Sequence, residues 1–180
     1  MRRFAVALAF VVAVAAVTAG SAGSRTSKSA FAVSVEPSVS AASNGLTLET
    51  DLEGTFNVAN KVANGSGSYS LMAGTTLVDN GTFRLTRLVA FQFYGCGEVT
   101  TPDGPVTLPP DFCGGRALFA VHATSSSTGE QTDGLYEVNC QIHDPGGQAP
   151  PGTSEGIKVN ARGVNFNKHV TGDNLFMMLP

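Results

Sequence analysis

An all-β fold is what this sequence predicts: a single antiparallel β-sandwich or closed β-barrel of about eight strands, following an N-terminal signal peptide. Three observations predict it. From Leu46 to Ala63 the even positions read Leu, Leu, Thr, Leu, Gly, Phe, Val, Asn, Val, while the odd ones read Thr, Glu, Asp, Glu, Thr, Asn, Ala, Lys, Ala. A period of two gives a strand one dry face and one wet one, whereas a helix would scatter the same apolar groups around its circumference. The same alternation then recurs in short stretches separated by clusters of Gly, Pro, Asn and Asp. Finally, Gly, Ser, Thr, Ala and Val dominate the composition, and no long amphipathic helical pattern is visible.

The chain opens with Arg2 and Arg3, an unbroken apolar run from Phe4 to Val17, and then small residues. This is the layout of a secretory signal peptide. The run is shorter than the ~20 residues a transmembrane helix needs. Cleavage is expected after Ala19 or Ala22, which assigns residues 1–22 to the signal peptide and 23–30 to a disordered lead-in. Residues 31–180 are then one β-domain, long enough to bury roughly two-thirds of its surface. The expected location is secreted or extracellular, with periplasmic or cell-surface retention as variants.

In order, Phe31, Val33 and Val35 form a first short strand that ends before Pro37, and Ser38 to Gly45 is a linker of small residues. The Leu46 to Ala63 strand stops at Asn64-Gly65-Ser66-Gly67, read as a turn. Ser68 to Ala73 is a weaker strand. Thr75 to Val78 and Thr82 to Tyr94 flank Asp79-Asn80-Gly81, read as a hairpin turn. In the second arm Phe83, Leu85, Val89, Phe91 and Phe93 share one parity, and Arg87 interrupts that face; its charge must reach an edge or the rim of the core.

Thr101-Pro102-Asp103-Gly104 is a turn that folds its surroundings into a small hairpin, and Pro109-Pro110 stops pairing. Arg116 to Thr124 alternates, with Ala117, Phe119, Val121 and Ala123 inward and His122 outward. Ser125 to Gly134 is a polar loop. Leu135 to His143 is a strand with Tyr136, Val138 and Cys140 on one side, and Asp144 to Gly156 is irregular. Ile157 to Val170 is a strand whose apolar parity switches across Arg162-Gly163 (Val164, Phe166 and Val170 beyond it), as a bulge would cause. Thr171 to Asn174 turns the chain into Leu-Phe-Met-Met-Leu, a short apolar strand buried on both faces or covering an edge.

All three cysteines lie in the exported part, so one bridge leaves one thiol over. Cys96 and Cys113 are the expected bridge, because both sit beside glycines at the ends of a turn-rich loop; Cys113 with Cys140 is the alternative. Closing a loop of that length stabilises by about 3 kcal/mol on the chain-entropy account.

The formal net charge is −3, and loss of the leader makes the chain more acidic. With so few Lys and Arg it is not expected to bind nucleic acid or anionic lipid, and no membrane span remains after signal cleavage. Gly152-Thr153-Ser154-Glu155-Gly156 matches G-x-S-x-G, but a Pro-rich stretch precedes it and a strand follows, so a solvent loop is the better reading than a hydrolase nucleophile. Asn165, Asn167 and His169 make a polar stripe, and Glu49, Asp51 and Glu53 an acidic row on a wet face. Asn64-Gly65-Ser66 and Asn80-Gly81-Thr82 match the glycosylation triplet but are read as turns.

Gly134-Leu135-Tyr136 running into Cys140-Gln141-Ile142-His143 and then Gln148 resembles the ligand loop of the small blue-copper proteins (cupredoxins) over about fifteen residues. The resemblance implies copper as cofactor, Cys140 thiolate and His143 imidazole as ligands, Gln148 in the axial place, and electron transfer as the activity. The leading expectation is a non-enzymatic, exported β-domain with no catalytic residues and no cofactor, which binds an extracellular ligand or protein that the sequence does not specify. The cupredoxin-like carrier is the alternative, and a secreted hydrolase the second alternative.

Overall fold

A computed structural model describes residues 29–101, 104–142 and 153–180. The signal peptide and most of the lead-in lie outside these residues, as do His143, Gln148 and the Pro-rich stretch 144–152. The described residues form strands and connections with no helix. The strands are β1 (Ala30–Ala42), β2 (Leu46–Asn57), β3 (Ala63–Ala73), β4 (Thr76–Cys96), β5 (Glu98–Thr101), β6 (Gly104–Thr107), β7 (Phe112–Ser125), β8 (Gln131–Cys140), β9 (Gly156–Ala161), β10 (Val164–Thr171) and β11 (Asn174–Met178).

Nine strands make one antiparallel sheet in the order β10-β9-β8-β7-β11-β1-β2-β3-β4, with β5 and β6 forming a separate ribbon. Two further pairings, β10 with β1 and β7 with β4, join the ends of the sheet. Following the neighbours gives a ring, β1-β2-β3-β4-β7-β8-β9-β10 and back to β1, each strand antiparallel to the next. Pairing therefore runs through one continuous sheet and not through two facing ones.

The seam of the ring explains the C-terminal apolar segment. β10 lies against the second half of β1 (Val39↔Thr171 to Ala42↔Phe166) and β11 against the first half (Phe31↔Met178 to Val35↔Asn174). The two are one ribbon along β1, interrupted at Gly172-Asp173, and the register of β1 slips between Val35 and Ser38, around Glu36-Pro37. Proline has no N–H to give a ladder, so it sits where pairing is already broken. Gly172 has φ +105, and a Cβ there would lie 2.4 Å from the Cα of Ser38. On its far side β11 pairs with β7 at Cys113 and Phe112, alongside the part of β7 that β8 does not reach. The first strand thus runs through the expected linker to Ala42, and the LFMM segment is paired on both edges.

The alternation of β2 is as expected: Leu48, Thr50, Leu52 and Phe56 are buried, while Glu49, Asp51, Glu53 and Thr55 are exposed. Three sequence expectations are corrected. First, β2 ends at Asn57, whose side chain accepts from the N–H groups of Ala59 and Asn60, and Asn64-Gly65-Ser66-Gly67 is not a turn but part of β3. There the glycines are sockets. Gly65 faces Gly54 across the ladder, and a Cβ on Gly67 would lie 2.8 Å from the ring of Phe83, its direct partner.

Second, Asp79-Asn80-Gly81 lies inside β4, and the β3–β4 turn is at Gly74 (φ +60). Gly81 faces Tyr69, whose ring would be 2.8 Å from an added Cβ. Glycine in a strand interior marks close approach as readily as a turn. Third, Arg162-Gly163 separates two strands as a hairpin turn, both residues having positive φ (52 and 75), the geometry of a two-residue loop that matches strand twist.

Parity in β4 also departs from expectation. Register slips between Leu85 and Arg87 and between Leu88 and Ala90 turn Arg87 outward and bury Leu88 completely, leaving Phe93 44% exposed. A slip opposite β1 likewise leaves Val170 exposed. In β7 the pattern holds, with Ala117, Phe119 and Val121 buried.

Candidate ligand cavity

The interior of the ring is filled unequally along its axis. At the end carrying the 58–62 and 97–111 connections, Phe56 meets Phe31, Phe91, Phe119 and Phe176 with ring centroids 5.0 to 5.8 Å apart. Cys96 and Cys113 stand opposite each other on β4 and β7 and are joined by a disulfide, closing off the excursion that contains the β5–β6 ribbon.

The other end is ringed by the short turns β1–β2, β3–β4, β7–β8 and β9–β10 and holds a cavity of about 130 Å³. Its wall comes from inward positions of seven strands, among them Leu48, Leu71, Val121, Val159, Val164 and Phe166. It exists because small side chains coincide on three neighbouring strands. Ala123 is on β7, Gly134 on β8 opposite Val121, and Ala161 on β9 opposite Gly134. Large residues at those three positions would have filled this end of the ring.

Two polar features mark the cavity. On its wall, Thr50 and Tyr136 are 3% and 1% exposed, with hydroxyl oxygens 2.6 Å apart. The Tyr136 ring stacks on Phe83, centroids 5.1 Å apart. Burial pushes the Tyr136 hydroxyl pKa well above the ordinary tyrosine value, so it is a neutral phenol at any physiological pH.

At the rim, Arg162 pairs with Glu130 at 2.7 Å and donates from Nε to the Thr132 hydroxyl at 2.7 Å. Asp79 accepts from Tyr69 (2.9 Å), Ser125 (2.7 Å) and Ser127 (2.9 Å). Burial opposes the charge of Asp79, but these hydroxyls, Ser125 foremost, outweigh it and hold its pKa below the usual value. The Tyr69 hydroxyl is pushed up to about 12, by burial first and then by Asp79. The mouth is therefore polar and ordered, and the wall below it apolar.

Of the residues singled out for metal chemistry, Cys140 alone lies among the described residues. Cys140 is fully buried in the hydrophobic core and free, and its thiol is pushed up to about 12, chiefly by burial and next by the charge of Glu155. His143 and Gln148 lie outside the described residues, and among those described no three His, Cys, Asp or Glu side chains converge as a metal site.

Ser154 is exposed, and its carbonyl accepts from Asn139 Nδ2 at 2.7 Å just before β9, where a strand and not the helix of a nucleophile turn follows. Glu49, Asp51 and Glu53 are on the outer face, as are Asn165 and Asn167. His169 rests its ring against Gly156, where a Cβ would lie 1.9 Å from Nδ1.

Reading the sequence puts Tyr136 on one side of its strand with Val138 and Cys140 and attaches it to a copper loop, and it gives Thr50 no role beyond its even position in the Leu46 to Ala63 stretch. The available signal was the coincidence of Ala123, Gly134 and Ala161 on inward parities of successive strands, which gains meaning only once their register is known. No protein-family model, curated protein or solved structure matches this chain.

Proposed function

We propose that this is an exported, non-catalytic binding protein, a small β-barrel that carries a compact, mainly apolar molecule in the open end of its ring. The observation that carries the reading is the apolar cavity of about 130 Å³ beneath an ordered polar rim. An eight-stranded ring is at the size where side chains either fill the interior or leave space for one small ligand. For scale, an apolar cavity of about 150 Å³ takes up benzene, so one ring or a short branched chain fits inside, and a larger body would extend through the mouth. The disulfide is consistent with an oxidising compartment.

The test is titration with 2-naphthol, followed by its fluorescence. Saturable binding at one site per chain is expected. Ala161→Phe, which places a ring in the cavity, should weaken it by about tenfold or more while the protein stays folded. Absence of saturable binding to the wild type, or equal binding by the variant, would remove the reading.

A further inference from the structure

We infer that the cavity selects molecules carrying a hydrogen-bond-accepting oxygen, a ketone or aldehyde carbonyl, on the end that enters first, and that Thr50 and Tyr136 together supply the donor. The inference rests on the cavity being the binding site and specifies the class of molecule it takes.

It follows from counting hydrogens. Two hydroxyls carry two hydrogens, and the bond between Thr50 Oγ1 and Tyr136 Oη uses one of them, whichever group donates. Among the described residues neither hydroxyl has another hydrogen-bond partner. One donor hydrogen is therefore left over on a wall where both residues are almost completely buried. Leaving a buried donor unmet costs free energy, and such groups in folded proteins are nearly always matched by protein, water or ligand. The pair shares the cavity with the apolar Leu48, Leu71, Phe83, Val121, Val159 and Phe166, while the polar lining residues Tyr69, Asp79, Glu130, Thr132 and Arg162 are engaged in the rim bonds given above.

An occupant with an oxygen acceptor at that point satisfies the spare hydrogen and buries its hydrocarbon against the rest. A purely hydrocarbon occupant would strand it. A carboxylate is a poorer match, because its charge would lie deep in an apolar wall, and Arg162, the guanidinium that lines the cavity among the described residues, is at the rim and already holds Glu130.

The arithmetic dictates which variant is informative. Tyr136→Phe alone leaves the Thr50 hydrogen free to donate, and Thr50→Val alone leaves that of Tyr136. Only the double variant removes the donor, and replacing both partners by apolar groups of the same shape is close to neutral for stability.

The experiment compares acetophenone with α-methylstyrene, its isostere with C=CH₂ in place of C=O, by calorimetric titration of the full mature chain. The ratio of the two affinities cancels the contribution of cavity shape within each protein. From wild type to Thr50→Val/Tyr136→Phe the preference for the ketone should fall by about fivefold, the worth of one hydrogen bond, while both single variants retain most of it. Thermal melting of each variant confirms folding. An unchanged ratio in a folded double variant, with both compounds still bound, overturns the inference and leaves the cavity reading standing. Loss of the ratio in either single variant overturns the shared-donor account. If neither compound binds the wild type, the cavity reading itself falls, and this one with it.

Discussion

At the scale of single residues, the interior is governed by what each side chain leaves available. Gly65, Gly67 and Gly81 contribute space, into which Leu85, Phe83 and Tyr69 pack. Thr50 and Tyr136 contribute one unmatched hydrogen. Cys140 contributes a free thiol, fully buried and with its pKa pushed up to about 12. The sign of that shift fixes its behaviour: a raised thiol pKa means a smaller thiolate fraction in the folded state than in the unfolded one, at pH 8 as at any higher pH up to the folded value. Iodoacetamide at pH 8 should therefore leave Cys140 unmodified in the native protein and alkylate it within minutes in denaturant, with mass mapping to identify the residue. Rapid labelling of the native protein would show that this part of β8 opens readily.

At the scale of elements, connections were harder to read from sequence than strands. The dry face of β2 and the inward set of β7 were visible in the period of two, because both strands are regular over those stretches. Gly65, Gly67 and Gly81 read as turn formers, because a sequence does not distinguish a glycine that turns the chain from one that receives a neighbour's side chain; the distinction depends on register. The slips in β4 were equally hidden, since they depend on which strand lies alongside. The cavity required the register of three strands at once, and so was the least legible feature.

The β4–β7 connection was the most legible one. Thr101 pairs with Gly104, Pro102 and Asp103 between them lying outside the described residues; Pro109 and Pro110 lie outside the strands, and Cys96 faces Cys113 across the ladder. The bridge spans a sequence separation of 17 and stabilises mainly by restricting the unfolded chain. The Cys96→Ser/Cys113→Ser pair should lower unfolding free energy by about 3 kcal/mol in urea melts, with an unchanged far-ultraviolet circular dichroism spectrum. A loss of β-structure instead would mean that the bridge is needed to set the β4–β7 register.

At the scale of the whole molecule, closure is the property on which the cavity depends, since an open sheet would have no interior to leave half empty. Closure is made by the β10–β11 ribbon along β1, and Phe176 is its main anchor. It is fully buried, pairs across the ladder with Val33 and with Cys113, and packs its ring edge-on against Phe56 at 5.8 Å and Phe91 at 5.5 Å. Truncating a buried phenylalanine typically costs about 3–5 kcal/mol, against a total stability on the order of 5–15 kcal/mol for a domain. Phe176→Ala should consequently shift the urea midpoint far more than Ala161→Phe does. Because Phe176 belongs to the aromatic end and the cavity to the other, 2-naphthol affinity in the still-folded fraction should change by less than about twofold, as expected of independent sites. A large midpoint shift with intact affinity would establish that the phenylalanine end holds the ring shut while the alanine and glycine end is free to bind. A small shift would mean that the seam opens without unfolding the remainder, and a large affinity loss would mean that the two ends are mechanically coupled through the strands they share.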